Sequence, residues 1–143
     1  MPETIHFFTE KIPFNVPGKR ILRRWIEAVI RQEKRIPGAI NFIVCDDPYL
    51  QKMNKKYLKK NSLTDIITFQ MTEEEGLVTG DIYISIDRVR ENSRIYKVQV
   101  KKELARVMVH GVLHLMGYLD ESEDDQKEMR KREDKYLKEL TLW

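Results

Sequence analysis

The stretch from Lys101 to Met116 most constrains what this chain can fold into. At helical spacing, Leu104, Val107, Met108, Gly111, Val112 and Leu115 share one face, while Val109 and Leu113 lie on the opposite one. A helix that is apolar nearly all round is buried, so this one must run through the interior with other elements on more than one side. It also carries His110 and His114, two of the chain's three histidines. Four residues apart, both imidazoles project from the same side of the helix, about one turn apart.

The rest of the chain supplies elements to pack around that helix. Ile5 to Thr9 reads as a short strand. Leu22, Trp25, Ile26, Val29 and Ile30 follow the i, i+3, i+4, i+7, i+8 pattern and predict an amphipathic helix over Lys19 to Gln32. Pro37-Gly38 is expected to break the chain, and Ala39 to Cys45 to form a buried strand. Asp47 as N-cap with Pro48 at the first helical position starts a helix that turns Leu50, Met53 and Tyr57 inward and its lysines outward. Asp65 to Met71 and Leu77 to Ile86 read as strands joined by a polar turn at Glu73 to Gly76. Arg88 to Tyr96 reads as a short helix. Ser122 caps a charged last helix that docks through Met129, Tyr136, Leu137 and Leu140. No repeat, low-complexity segment or linker interrupts residues 1–143, which read as one domain. The expected class is α+β: a small mixed sheet packed with about five helices, one of them the central histidine helix.

Composition bounds the setting. Hydrophobic residues make up 41% and charged residues 34%, as in globular proteins. No apolar run approaches the ~20 residues that cross a bilayer, and the N-terminus lacks the pattern of a secretory signal. The single cysteine, Cys45, excludes a disulfide within the chain, so the cytoplasm is the expected compartment and no membrane is an expected partner. Cys45 ends the apolar run AINFIVC and reads as a buried structural thiol. The net charge is +3, but the charges are segregated. Lys52 to Lys60 holds five lysines and no acid, and Arg88 to Arg106 seven basic residues against two acids. Such runs focus a field on one face, although they can equally be solvated helix surfaces.

The two histidines acquire chemistry from the turn after them. Gly117 can take the left-handed conformation that ends a helix, and the chain can then return Asp120 to the side of the imidazoles. Two neutral imidazoles and a carboxylate are three ligands for one zinc ion, with a fourth position left for water. A water so placed ionises near neutral pH and is the only catalytic group the sequence names. The spacing His-x3-His-x2-Gly-x2-Asp parallels the metzincin proteases, but their glutamate after the first histidine is Gly111 here, which removes the general base of peptide hydrolysis. The two histidines could instead be hydrogen-bonded core residues. His6 is expected to be a strand residue without a metal role.

The stretch HGVLHLMGYLD, His110 to Asp120, resembles the signature H-G-x-L-H-L-x-G-Y-D-H of the YbeY family of bacterial rRNA-processing metalloproteins. Met53 to Phe69 resembles another family segment through Asn54, Tyr57, Thr64, Asp65 and Phe69. Gly80-Asp81-Ile82 fits the family's G-D-I strand, and Glu123 to Leu137 its acidic last helix. The resemblance covers Asn41 to the C-terminus, with the segments in order. It implies a zinc-dependent, single-strand-specific endoribonuclease acting in small-subunit (16S) rRNA maturation and ribosome quality control. Ribosomal RNA and small-subunit ribosomal proteins are the implied partners. Lys55, Lys59, Lys60 and Arg88 are then the candidate RNA contacts, because phosphate contacts carry most nonspecific affinity.

The departures are specific. The family's third histidine is Asp120, which still completes a zinc site. Its arginine after the tyrosine is Leu58, its aspartate is Asn61 and its proline is Leu63. An arginine there would clamp phosphate, so Leu58 leaves two other readings open: a non-catalytic ribosome-assembly or RNA-binding factor with a structural metal, and a metal-dependent hydrolase of another substrate. Asp65 and Asp81 occupy family positions, where either a chemical or a structural hydrogen-bonding role fits.

Overall fold

The computed structural model describes residues 4–58, 64–70 and 76–140. The elements run β1 (Ile5–Thr9), α1 (Lys19–Gln32), β2 (Ile36–Cys45), α2 (Asp47–Leu58), β3 (Ile66–Gln70), β4 (Leu77–Ser85), α3 (Ile86–Tyr96), α4 (Val100–Leu115) and α5 (Glu123–Lys138). The strands form one sheet in the order β1-β2-β4-β3. β1, β2 and β4 are parallel, and β3 joins the edge antiparallel to β4. This mixed sheet with its helices is the expected α+β arrangement.

Side-chain alternation along the strands separates two cores. Ile40, Phe42, Val44, Val78, Ile82 and Ile84 point to one face and are buried against residues of α1, α4 and α5. Cys45 and Ile67 point to the other, where they meet Leu50 of α2 together with Tyr49, Met53, Phe69 and Tyr83. The histidine helix α4 and the lysine-bearing helix α2 therefore lie on opposite faces of the sheet.

Helix α4 is central, as its all-round apolarity demands: Leu104, Ala105, Val107, Met108, Val109, Val112 and Leu113 are all buried. Gly111 lets it lie directly on the sheet. A Cβ at that position would sit 2.7 Å from Ile66 Cδ1 and 2.9 Å from Ile82 Cγ2, inside van der Waals contact. Cys45 is fully buried, and burial pushes its thiol up to about 12, which fits a structural role.

Three local expectations are corrected. Pro37-Gly38 does not interrupt the chain; β2 already runs from Ile36, and the irregularity is absorbed as a register shift against β4 between Pro37 and Ile40. Proline is tolerated at such a bulge because no ladder hydrogen bond is required of it. The N-cap of α2 is Asp46, not Asp47: its carboxylate accepts from the Tyr49 N–H at 2.9 Å and its carbonyl from the Leu50 N–H at 3.0 Å. Either aspartate could cap, but Asp47 is held by tertiary partners, the Ser85 hydroxyl at 2.6 Å and Arg88 Nε at 3.1 Å. Tyr57 is 53% exposed rather than inward, lying edge-on to Phe69. The expected turn at residues 73–75 and the end of β3 at Met71 lie outside the described residues.

Candidate metal centre

The site begins with the end of α4. Met116 is the C-cap, and Gly117 comes next at φ 98°, a left-handed conformation that favours glycine. The Gly117 N–H donates to the His114 carbonyl at 2.9 Å and the Tyr118 N–H to the Leu113 carbonyl at 3.1 Å. That pair of bonds is the Schellman motif, which reverses the chain sharply. Ser122 then opens α5 with a capping box, its hydroxyl accepting from the Asp125 N–H at 3.0 Å. Asp120 lies between these two fixed ends and so returns to the imidazoles. Gln126 Nε2 donates to its carbonyl at 3.1 Å.

His110 Nε2 lies 2.9 Å from His114 Nε2 and 3.3 Å from an Asp120 carboxylate oxygen, and the same oxygen is 3.4 Å from His114 Nε2. Each imidazole is held from behind. His110 Nδ1 meets Glu133 at 2.6 Å and His114 Nδ1 meets the Tyr118 carbonyl at 2.9 Å. A carboxylate and a carbonyl only accept, so each Nδ1 carries the proton and each Nε2 turns a lone pair toward the centre. Two lone pairs and a carboxylate oxygen then converge on one another, an arrangement that repels unless a cation or a shared proton sits among them. Donors ~2.0–2.1 Å from a tetrahedral zinc lie about 3.3–3.4 Å apart, close to the spacings here, and the donor set is one zinc accepts. His110, His114 and Asp120 are the cluster able to hold a metal ion among the described residues.

A hollow of about 260 Å³ opens beside these groups, lined by Asp65, Glu103, Arg106, His110, Asp120 and Glu133 among others. Acids outnumber bases in it, with Arg106 and Arg130 as counter-charges, and Arg106 is bound to Glu133 at 3.0 Å and Asp134 at 3.0 Å. Burial lowers the His110 pKa, but the Glu133 hydrogen bond and the charges of Glu133, Asp65 and Asp120 outweigh it and raise the value. Burial raises the Asp65 pKa against the opposing charge of His110. Asp81 projects from the opposite sheet face, where Asn41 Nδ2 donates to it at 3.0 Å.

Burial also pushes Glu103 up to about 7, the nearby Arg106 only partly opposing it. A carboxyl whose pKa is raised on folding binds its proton more tightly in the folded chain. Its stabilising contribution is complete below the ordinary value of 4.5 and is lost as pH rises toward about 7. The urea midpoint of the wild type should therefore fall relative to that of Glu103→Gln between pH 4.5 and 8. Parallel pH profiles of the two proteins would show that Glu103 is not the titrating group.

Among the other expected residues, Lys55 is exposed on α2, across the sheet from the histidines. Lys59 and Lys60 lie outside the described residues. Arg88 pairs with Asp47 at 3.1 Å. Leu58 is 43% exposed at the end of α2. His6 is exposed on β1 and takes no part in the cluster. Sequence reasoning missed Glu133. The available signal was its spacing: Met129, Glu133 and Tyr136 fall at i, i+4 and i+7 and form the buried face of α5.

Residues 5–141 match the protein family described as Endoribonuclease YbeY. The chain is 46% identical over 138 residues to a protein named Endoribonuclease YbeY from Amoebophilus asiaticus, covering 96% of this chain and 94% of that one. A protein of the same name from Flavobacterium psychrophilum is 45% identical over 131 residues, covering 92% and 93%. A Thermotoga maritima protein whose structure was solved in solution superposes with a TM-score of 0.67 at 29% identity, over 95% of this chain and 88% of that one.

Proposed function

The chain belongs to the YbeY endoribonuclease family, and we propose that it cleaves single-stranded RNA at one zinc ion held by His110, His114 and Asp120. Its substrate would be ribosomal RNA during small-subunit (16S) maturation and ribosome quality control, in the cytoplasm, with small-subunit ribosomal proteins as partners. No helix among the described residues is long and apolar enough to cross a membrane.

The observation that carries this reading is the convergence of three acceptor atoms within 2.9–3.4 Å, the two imidazoles each held from behind. When bound, the ion would supply a Lewis acid for the scissile phosphodiester and an acidified water. The chain's own groups hold and aim that site. Glu133 and the Tyr118 carbonyl fix the two imidazoles, and the raised pKa of Asp65 suits its carboxylate to hold a proton in the same hollow. Position 111 supports RNA over peptide as substrate. It faces Ile66 and Ile82 in the core, so no base could reach the cleft from there. Lys55 and Arg88 would contact phosphates of the bound strand, as would Lys59 and Lys60, which lie outside the described residues.

Leu58, in place of the family's arginine, favours a second reading as an assembly factor with a structural metal. The half-open position of Asp120, 42% exposed, favours the catalytic one, because a structural site is closed by protein ligands. The test is cleavage of a single-stranded ribosomal RNA fragment by zinc-loaded protein, by chelator-stripped protein and by stripped protein reloaded with zinc. Activity lost on stripping and restored on reloading is the expected result. Zinc retained at one per chain without cleavage would establish the assembly-factor reading, and a chain that binds no zinc would overturn both.

A further inference from the structure

The metal hollow does not end at the histidines. A second hollow, of about 740 Å³, runs between the α3–α4 connection and the outer side of α5. The two share Tyr96, Glu103, Arg106 and Arg130 as lining, so they meet along that wall. Their electrostatics are opposite. The first has four acids, Asp65, Glu103, Asp120 and Glu133, against two arginines, Arg106 and Arg130. The second has five basic residues, Lys101, Lys102, Arg106, Arg130 and Lys138, against two acids, Glu103 and Asp134. Both of those acids are neighbours of Arg106, at 3.9 Å and 3.0 Å, and the basic residues of this lining still outnumber them. The positive charge that remains lies on the groove side of α4 and α5. Tyr96 stands where the hollows meet and is 60% exposed, an aromatic face turned to solvent at the mouth of an acidic metal site.

A polyanion is repelled by the acidic hollow except where a cation neutralises it, and is attracted by the basic one. An exposed aromatic beside a basic track is how proteins bind unpaired nucleotides, since stacking needs a base face that a duplex hides. We propose that single-stranded RNA reaches the metal along this groove, with one base stacked on Tyr96 and the neighbouring phosphates held by Lys102, Arg130 and Lys138. The proposal rests on the endoribonuclease reading and adds to it a track on the α4 face of the sheet, separate from any phosphate contacts made by the lysine helix α2.

The experiment is equilibrium binding of a labelled oligouridylate to the zinc-loaded protein over a range of salt concentrations. It compares wild type, Tyr96→Ala, Arg130→Gln/Lys138→Gln and, as a charge-matched control, Arg20→Gln/Arg24→Gln on the exposed side of α1. Arg130, Lys138, Arg20 and Arg24 are all exposed, so the variants should fold, which circular dichroism checks. Loss of one stacked base should weaken binding roughly tenfold. Removing two phosphate contacts should flatten the log–log salt slope by about 1.4, while the control keeps the wild-type slope. A duplex competitor should displace the probe poorly.

Equal losses in the two double variants would show that net charge alone is at work and overturn the groove. So would an unchanged Tyr96→Ala, an equally effective duplex, or a wild type that binds no oligomer. The two levels separate cleanly. Zinc-dependent cleavage that the groove variants leave unaltered overturns the groove and keeps the nuclease. Groove-dependent binding without cleavage keeps the groove and overturns the nuclease.

Discussion

Zinc should bind Glu133→Gln about 10–100-fold more weakly than it binds the wild type, with the fold retained. Glu133 is 6% exposed on the inner face of α5 and divides its carboxylate between two partners. One oxygen faces His110 Nδ1 at 2.6 Å, and the other accepts from Arg106 at 3.0 Å. The carboxylate can only accept, so it fixes the proton on Nδ1 and leaves Nε2 as the donor atom to the metal. Its charge also makes the imidazole a stronger base. A glutamine has nearly the same shape, but its amide can present either an acceptor or a donor to Nδ1. The ring is then free to take the wrong tautomer, and the added basicity is lost. Arg106 keeps Asp134 at 3.0 Å, so the substitution does not strand a buried cation. Competition against a chromophoric zinc chelator measures the change, and a thermal melt of the metal-free proteins checks the fold. Wild-type affinity in the variant would mean that packing alone orients His110.

Glu33→Gln should destabilise the chain by about 2–4 kcal/mol, a large share of the ~5–15 kcal/mol by which domains are stable. Glu33 is the C-cap of α1, and its side chain is 10% exposed. Tyr118 donates its hydroxyl to one oxygen at 2.5 Å. Tyr136 and Arg132 donate to the other, Arg132 at 2.9 Å. The Arg132 guanidinium also lies 4.6 Å from the centre of the Tyr118 ring. One carboxylate therefore ties α1 to α5 and to the turn whose carbonyl holds His114. Hydrogen bonds to a charged acceptor are about twice as strong as neutral ones, and Tyr136, fully buried, has no water to turn to if its acceptor is weakened.

The pH dependence separates charge from shape. Burial raises the Glu33 pKa, but the Tyr118 and Tyr136 hydrogen bonds and the charge of Arg132 outweigh it and hold the value below the ordinary 4.5. A carboxylate depressed on folding stabilises the folded state above its unfolded pKa, and that contribution is lost as pH falls through the folded one. The gap between wild type and Glu33→Gln, read from urea unfolding, should thus be full at pH 7 and shrink below about pH 4.5. An equal gap in strong acid would assign the effect to geometry.

The sequence alone determined what one helix or one turn decides. The all-round apolarity of Lys101 to Met116 placed α4 in the interior, because a helix that cannot show a polar face to water must be covered. Four-residue spacing put His110 and His114 on one side, and Gly117 supplied the left-handed residue that returns Asp120 to them. Ser122 marked the start of α5 through its capping box. Each depends on interactions within a few residues, which the order of residues encodes directly.

Tertiary structure decided the rest. Two adjacent aspartates were equivalent as caps of α2 until Ser85 and Arg88 engaged Asp47. The lysines of α2 could have flanked the histidines until the sheet came between them. Glu133 meets His110 across a separation of 23 residues, and Glu33 meets Tyr118 across 85. Periodicity tells which residues share a face of a helix, but not which face of which neighbour they will meet. That is set by how the helices cross over the sheet, and with it the charge environment that makes two histidines and an aspartate able to hold a metal.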